Sequence, residues 1–493
     1  MAYIWIRNHA RGSFQLPNFA TASDWTTVEF ILAIGALAAL FWVAVVFLRG
    51  GLLGGSLIVL LAGICFGHPF FNLPLGPLPL TSDRVLLVLL LAQYVVYRRW
   101  GWTDPKPLTK TDYLLGAFLT VLLVSTFTHS FAANRAEPVS HLICFYLMPA
   151  AIYWVARQTK LTEQGASWLF GALAVFGGYL CLTAIAETHQ AWAFVFPRYI
   201  GSPEYAAFLG RGRGPFLNPA GNGIAQGLGL CAALMWWPRL NRRGQLVLLA
   251  TLPIFFWGIY STYTRCAWLG GGLGLFAIVA LTIPRNWRVP VISSVLLSAI
   301  LGVAIGWEHV LAFKRDKDLD AESAAESVKL RPILAIVAWH MFLDRPLLGC
   351  GYGQYVQESP AYLADRSTEF ALENARPYVQ HNVFLGLLTE TGLLGMGFFI
   401  ALMASWARTA WQLWRNLSAP LWVRKMGLLF LALLGVYLPN AMFQDVSIIA
   451  MVNMMLFFLA GTTCSLTPWL ASAHATERLK FWPAEVELAM GSR

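Results

Sequence analysis

The chain predicts an all-α, polytopic integral membrane protein, and three observations lead there. Of its 493 residues, 57% are hydrophobic and only 12% charged, where a soluble domain averages about 25% charged. The apolar residues come in uninterrupted stretches of about 17–25, the length a helix needs to cross a bilayer. Most of these stretches lack a polar face, which excludes the amphipathic helices of a large soluble core. They lie near 27–48, 52–71, 83–99, 112–131, 138–157, 165–186, 220–237, 245–262, 266–284, 289–306, 382–406, 424–443 and 447–466. About 12 or 13 transmembrane helices are therefore expected.

The connections between these runs set the topology. A net charge of +10 would suggest nucleic acid as partner of a soluble protein, but its placement here excludes that partner. Arg98, Arg99, Lys106 and Lys110 follow one run, Arg157 and Lys160 another, and Arg239, Arg242 and Arg243 a third. Arg285, Arg288, Arg408, Arg415, Arg424 and Lys425 complete the series. These positions fall on alternate connections, as the positive-inside rule requires of cytoplasmic loops. The others, near 72–82, 132–137, 187–219, 262–265, 307–381 and 444–446, then face outward. Arg7 and Arg11 favour an inside N-terminus, whereas 13 spans with the C-terminus inside place it outside; the sequence leaves both open. The first 26 residues lack an apolar core followed by a small-residue cleavage site, so the first span is expected to act as the targeting signal. Seven cysteines without a C-x-x-C pair, mostly inside apolar runs, indicate neither a disulfide framework nor a zinc site.

Segment 307–381, roughly 75 residues, is the expected large outer loop. It opens with Lys314–Asp318, Asp320, Glu322 and Glu326, a charge run that reads as a solvated face. Val328–Phe342 follows as an amphipathic helix, with Ile333, Leu334, Ile336, Val337 and Phe342 at helical spacing. Such a helix suits the headgroup plane of a membrane. Arg345-Pro346 ends it, and Gly349, Gly351 and Gly353 make a turn. The chain thus divides into an N-terminal transmembrane bundle (1–204), a region holding the loop and the polar motifs (205–400), and C-terminal helices with a cytoplasmic tail (401–493).

Three polar motifs fall at the outer level: Arg211-Gly-Arg213-Gly-Pro-Phe-Leu-Asn218-Pro219, Thr264-Arg265-Cys266 and Gln380-His381-Asn382. Basic residues at membrane depth are costly, so their gathering at one face argues for a purpose. Arg211 and Arg213, one glycine apart, can aim at one anion, and guanidinium suits bidentate phosphate contact; snorkelling to lipid headgroups is the alternative. Asn218-Pro219 marks a helix start. Arg265, in a turn too short to reach far into water, needs a phosphate, a carboxylate or carbonyls; Glu390 could supply the carboxylate. His381 has the side chain most suited to general-base work near neutral pH, although a histidine at a helix start also serves as a cap or headgroup contact. Asp445 could position a sugar hydroxyl or pair with an arginine. The chain has no H-E-x-x-H, and its D-x-D patterns, Asp316-Lys-Asp318 and Asp318-Leu-Asp320, fall in the loop's charge run, read as a solvated face. No metal or cofactor is therefore expected, and arginines would stabilise a departing diphosphate.

These residues resemble the O-antigen ligase and O-antigen polymerase superfamily of bacterial envelope enzymes. The matching stretches are Arg211–Pro219, Thr262-Tyr-Thr-Arg265-Cys-Ala-Trp268, Arg345-Pro-Leu-Leu-Gly349-Cys-Gly351-Tyr-Gly353 and His381-Asn-Val-Phe-Leu-Gly-Leu-Leu-Thr-Glu390-Thr-Gly392. The resemblance implies a metal-independent glycosyltransferase in the bacterial inner membrane. It would move a glycan from an undecaprenyl-diphosphate-linked donor to an acceptor hydroxyl at the periplasmic face. It also implies that Arg211 or Arg213, together with Arg265, binds diphosphate and that His381 activates the acceptor; Arg331 looks like a further family position. Two arginines stand where the family usually has one, Asn-Pro-Ala replaces Asn-Pro-Asn, and Thr-Arg replaces Ser-Arg. The acceptor (lipid A core, glycan or protein) is left open. The rival from another class is a transporter or flippase of the same lipid-linked oligosaccharide, which would show paired halves and broken helices near the midplane.

Overall fold

A computed structural model of the chain describes residues 40–73, 79–128, 136–312, 321–364, 370–376 and 379–470, with Gly35 and Leu37. In chain order the long helices are α1 (Val45–Cys65), α2 (Ser82–Arg99), α3 (Lys110–Thr128), α4 (Glu137–Arg157), α5 (Glu163–Thr188), α6 (Pro219–Trp236) and α7 (Arg242–Ser261). They continue as α8 (Arg265–Thr282), α9 (Arg285–Ala312), α10 (Ala321–Asp344), α11 (Val383–Arg415), α12 (Leu421–Phe443) and α13 (Ala450–Leu470). Nine of the described helices are long and apolar enough to cross a membrane. Three others, α2, α6 and α9, have 18, 18 and 28 residues. α2 carries charge at both ends (Asp83, Arg84, Arg98, Arg99), and α6 gives up apolarity to glycines, Asn222 and Gln226, which are buried inside the protein. Each expected run from residue 52 onward coincides with a helix to within several residues. Half of the first, near 27–48, lies outside the described residues, as do Lys314–Asp318, Asp320, the side chains of Glu322 and Glu326, and the chain beyond Leu470. The sheet content described is one ladder, β1 (Asn72–Leu73) antiparallel to β2 (Leu80–Thr81).

α13 is one of the most deeply buried of the described helices, with 89% of its apolar window buried, and it packs on α4, α11, α12 and α1. The two ends of the bundle differ chemically. At one end Arg157, buried, donates from Nε to Asp112 Oδ1 at 2.6 Å, and Tyr153 donates to the same oxygen at 2.8 Å. Arg239 pairs with Glu163, and Lys425 Nζ donates to the Met235 carbonyl at 3.1 Å. These basic residues belong to connections expected on the cytoplasmic side. The opposite end gathers the end of α5 and α7, the start of α6, α8 and α11, and the turn between α12 and α13.

α11 is not the single rod that its sequence suggests. At Gly392 the backbone turns to φ 62° and ψ −163°, separating a short helix from the long one that follows. The groups freed by this break find partners in the outer loop, as backbone at membrane depth must. Cys350 N donates to Thr389 O at 2.9 Å and Gly351 N to Glu390 O at 3.0 Å. Leu393 N donates to Pro346 O at 2.8 Å and Leu394 N to Leu347 O at 3.2 Å. A Cβ at Gly392 would lie 2.4 Å from both the carbonyl carbon and oxygen of Leu347. Gly392→Ala is therefore expected to destabilise the fold by more than about 1 kcal/mol, through positive φ and clash together. Gly397→Ala, with nothing within 4 Å, is the control. An unchanged melting temperature for the first variant would count against a rigid junction.

The loop helix also departs from expectation. α10 turns Ile333, Leu334, Val337, Ala338 and Met341 onto Cys350, Tyr355, Leu363, Leu372 and Ala375. The face expected to lie on headgroups is thus covered by the loop's own chain, because the segment after Arg345-Pro346 folds back across it. Among the described residues, Trp339, Leu343, Leu347 and Leu348 remain exposed here.

Candidate active site

Three helices at the cavity end start in the same way. Leu217, Tyr263 and His381 have φ of 51°, 45° and 47°, and each stands just before the residue that opens α6, α8 or α11. This left-handed step is rare for non-glycine residues. The cap follows. Asn218 accepts from Ala220 N and Gly221 N at 2.9 and 3.1 Å, and Asn382 accepts from Phe384 N and Leu385 N at 2.8 and 3.0 Å. Both asparagines thus do the capping work expected of that residue.

The two arginines of the first motif are used differently. Arg213 has no accessible side-chain surface. Its Nε donates to Glu187 Oε1 at 2.8 Å, Nη1 to the carbonyls of Tyr205 and Ala207, and Nη2 to Ile200 O at 2.5 Å. Glu187 Oε2 takes the backbone N–H of Arg213 and Gly214, both at 3.0 Å. Burial pulls the Arg213 pKa down while Glu187 opposes the shift. Arg211 instead reaches the α7–α8 turn: Nη2 donates to Thr264 Oγ1 at 2.6 Å and Nε to Thr262 O at 3.4 Å. Gly212 between them donates to Ser261 O at 2.8 Å, and a Cβ there would lie 2.7 Å from the Ala184 side chain.

From this turn a chain of contacts leads to the histidine. Arg265 heads α8, partly exposed. The next carbonyl, Cys266 O, accepts from Asn440 Nδ2 at 3.2 Å near the end of α12. Two residues on, Met442 O accepts from Asn382 Nδ2 at 2.8 Å. Arg331, from α10, lies over the Phe443 ring with 5.6 Å from Cζ to the centroid. Arg211, Arg265, Arg331 and His381 are thus arranged around the same end of α12.

On the other side of His381 lies a cavity of about 610 Å3. His381, Glu390 and Asp445 line it, and Arg213 and Asn218 border it; Arg211 and Arg265 do not. Arg213 and His381 thus line one cavity, and Arg265, expected beside them, is not among its lining residues. Asp445 accepts from Ser447 Oγ at 2.5 Å and Ser447 N at 3.2 Å, and burial pushes its pKa up. Glu390 accepts the backbone N–H of Tyr355 at 3.4 Å, next to the break in α11. Sequence reasoning missed Glu187, the partner of Arg213, and the cavity wall formed by Thr81, Asp83, Arg84 and Glu137. Glu187 carried a signal, an acid at the end of an apolar run; the wall residues carried none, since they come from distant connections.

Fold and site together define a polytopic helical membrane protein with these polar residues gathered at one end of the bundle. A family model described as O-antigen ligase matches residues 248–400. That stretch runs from α7 to the first part of α11, and includes Arg265, Arg331 and His381. No curated protein matches the chain.

Proposed function

We propose that the chain is a membrane glycosyltransferase that moves a glycan from an undecaprenyl-diphosphate-linked donor to an acceptor hydroxyl, at the periplasmic face of a bacterial inner membrane. The observation that carries this reading is the contact chain that surrounds the end of α12 with Arg211, Arg265, Arg331 and His381. In this reading His381 takes the proton of the acceptor hydroxyl. The acceptor oxygen forms its bond to the anomeric carbon as the bond from that carbon to the diphosphate oxygen breaks. The electron pair leaves with the diphosphate, which Arg211, Arg265 and Arg331 neutralise. A single displacement inverts the anomeric centre. Arg213, committed to Glu187, holds the loop and is assigned no contact with phosphate.

Three helix N-termini at this end support the placement of an anion, since their dipoles favour negative charge. The broken helix α11 is a feature that a flippase for the same lipid could use. Its freed backbone groups are tied to Pro346–Gly351, which favours an anchored loop over a moving gate. The test is purified protein with synthetic undecaprenyl-diphosphate sugar and several acceptors. A new glycosidic bond is expected, and lipid movement without bond formation would support the flippase.

Two further results are expected. Arg265→Lys keeps the charge but loses the bidentate fork, so turnover should fall about a hundred- to thousandfold, as when a fixed donor to a developing anion is removed. Near-normal turnover in a well-inserted lysine variant would mean that only net charge matters at this position. Transfer should also persist in excess EDTA, because arginines take the role a divalent cation has elsewhere. Loss with EDTA and rescue by Mg²⁺ would overturn that assignment.

A further inference from the structure

We propose that the loop built on α10 docks on the membrane itself: Trp339, Leu343, Leu347 and Leu348 rest in the headgroup–acyl boundary of the adjoining leaflet. The occupant of this patch is lipid, and the assignment does not depend on the transferase reading.

α10 is apolar on two faces, and the loop covers one of them. Ile333, Leu334, Val337 and Met341 pack inside the loop. Pro332, Trp339 and Leu343 recur at helical spacing on the opposite face and are exposed, Trp339 at 49% and Leu343 at 55%. Leu347 and Leu348, exposed at 68% and 61%, follow in the turn after the helix. The charged residues between them are turned to the loop. Tyr362 donates to Asp344 Oδ2 at 2.7 Å, and Arg345 Nη2 pairs with Glu358 Oε2 at 3.3 Å. Clustered apolar surface outside the spanning helices marks an interaction site.

Its continuation identifies the partner. Leu393 N and Leu394 N donate to Pro346 O and Leu347 O, so the turn abuts the start of the long part of α11. From there Leu393, Gly397, Ile400, Ala404, Arg408 and Trp411 form one exposed stripe at three- and four-residue spacing, the face that a spanning helix turns to lipid. The same helix gives the depth. Arg415 lies over the Trp411 ring, 5.9 Å from Cζ to the centroid, a basic and aromatic pair of the kind found at a membrane boundary. From Arg415 to Leu393 the helix rises about 33 Å, close to the roughly 30 Å of a bilayer's hydrocarbon core. Leu347 and Leu348 therefore stand at the opposite boundary, where tryptophan and leucine side chains of an amphipathic segment settle. Four side chains are also far fewer than the roughly 20–30 residues that each partner gives to a stable protein interface, which disfavours a second copy of the chain. Docking lets the bilayer itself hold the loop that carries Arg331 and braces the break in α11.

The test uses the full chain in nanodiscs of phosphatidylethanolamine and phosphatidylglycerol, reconstituted at one and at two chains per disc. Leu343→Cys, Leu347→Cys, Ile400→Cys and Asn374→Cys are made singly and labelled with an environment-sensitive fluorophore; the native cysteines are all buried. Leu343 and Leu347 are exposed, so a label there disturbs little packing. Ile400 is the lipid-facing reference. Asn374, exposed on the segment that covers the other face of α10, is the water-facing one. The labels replacing Leu343 and Leu347 should lose more than about half of their emission to lipid spin-labelled near the headgroup end of its acyl chains, as fits a depth of roughly 5–10 Å in the boundary. Aqueous iodide should quench them several-fold less than the label replacing Asn374. Strong quenching by iodide with none by lipid would overturn the proposal. So would protection from both quenchers: at one chain per disc it would mean that the loop covers its own patch, and only at two that a second copy does.

Discussion

Replacing His381 by alanine is expected to lower the single-turnover rate by about a hundred- to ten-thousandfold, the usual loss on removing a general base, and to leave donor affinity near its original value. Two features of the local fold separate these quantities. Asn382 caps α11 through its bonds to Phe384 N and Leu385 N, so the helix start survives the substitution. The histidine also lines the cavity, while Arg211 and Arg265 lie outside it. The wild-type rate should fall at low pH, because a protonated imidazole can no longer accept the hydroxyl proton. If His381 were only structural, the alanine variant would lose about 1 kcal/mol of stability, as for a lost cap, with no specific rate defect. Donor binding and rate at saturating donor, measured on the same preparation, distinguish the cases. Collapse of affinity with an unchanged rate would move the base elsewhere, and Asp445 is the next candidate.

Arg213→Ala should act on the fold rather than on the chemistry. Removing one member of a buried ion pair costs about 3–5 kcal/mol, because its partner is left charged without a counterion. Here the loss would also strand the carbonyls of Ile200, Tyr205 and Ala207. Glu187→Ala should be comparably damaging, since its carboxylate takes two backbone N–H groups as well as the guanidinium. Arg211→Ala, two residues away, should instead retain most of the stability and lose turnover. The check is thermal stability and transfer rate for all three. A stable, inactive Arg213→Ala would reverse the roles assigned to the two arginines.

The membrane helices were legible because hydropathy is a property of contiguous residues: runs at 165–186 and 424–443 correspond closely to α5 and α12. The starts of α6 and α11 were legible for a related reason, since an asparagine that precedes an apolar run has a local capping role. What escaped was non-local. The break at Gly392 lies inside an apolar run and becomes intelligible only with Pro346–Gly351 docked against it. The face of α10 could be read from periodicity, but what covers that face could not. The difference between Arg211 and Arg213 depends on Glu187, which belongs to another helix.

The position of α13 has a consequence for how the protein is made. It follows in the chain every helix on which it packs, yet it occupies the middle of the bundle. Until the ribosome has released it, α4, α11 and α12 must wait in the bilayer with their inward surfaces against lipid or an insertion chaperone. Assembly therefore cannot proceed helix by helix from the N-terminus; it closes around a late arrival. A premature stop codon before Ala450 would produce a nearly full-length chain that inserts but lacks its centre, a substrate for membrane proteolysis rather than a weakened enzyme.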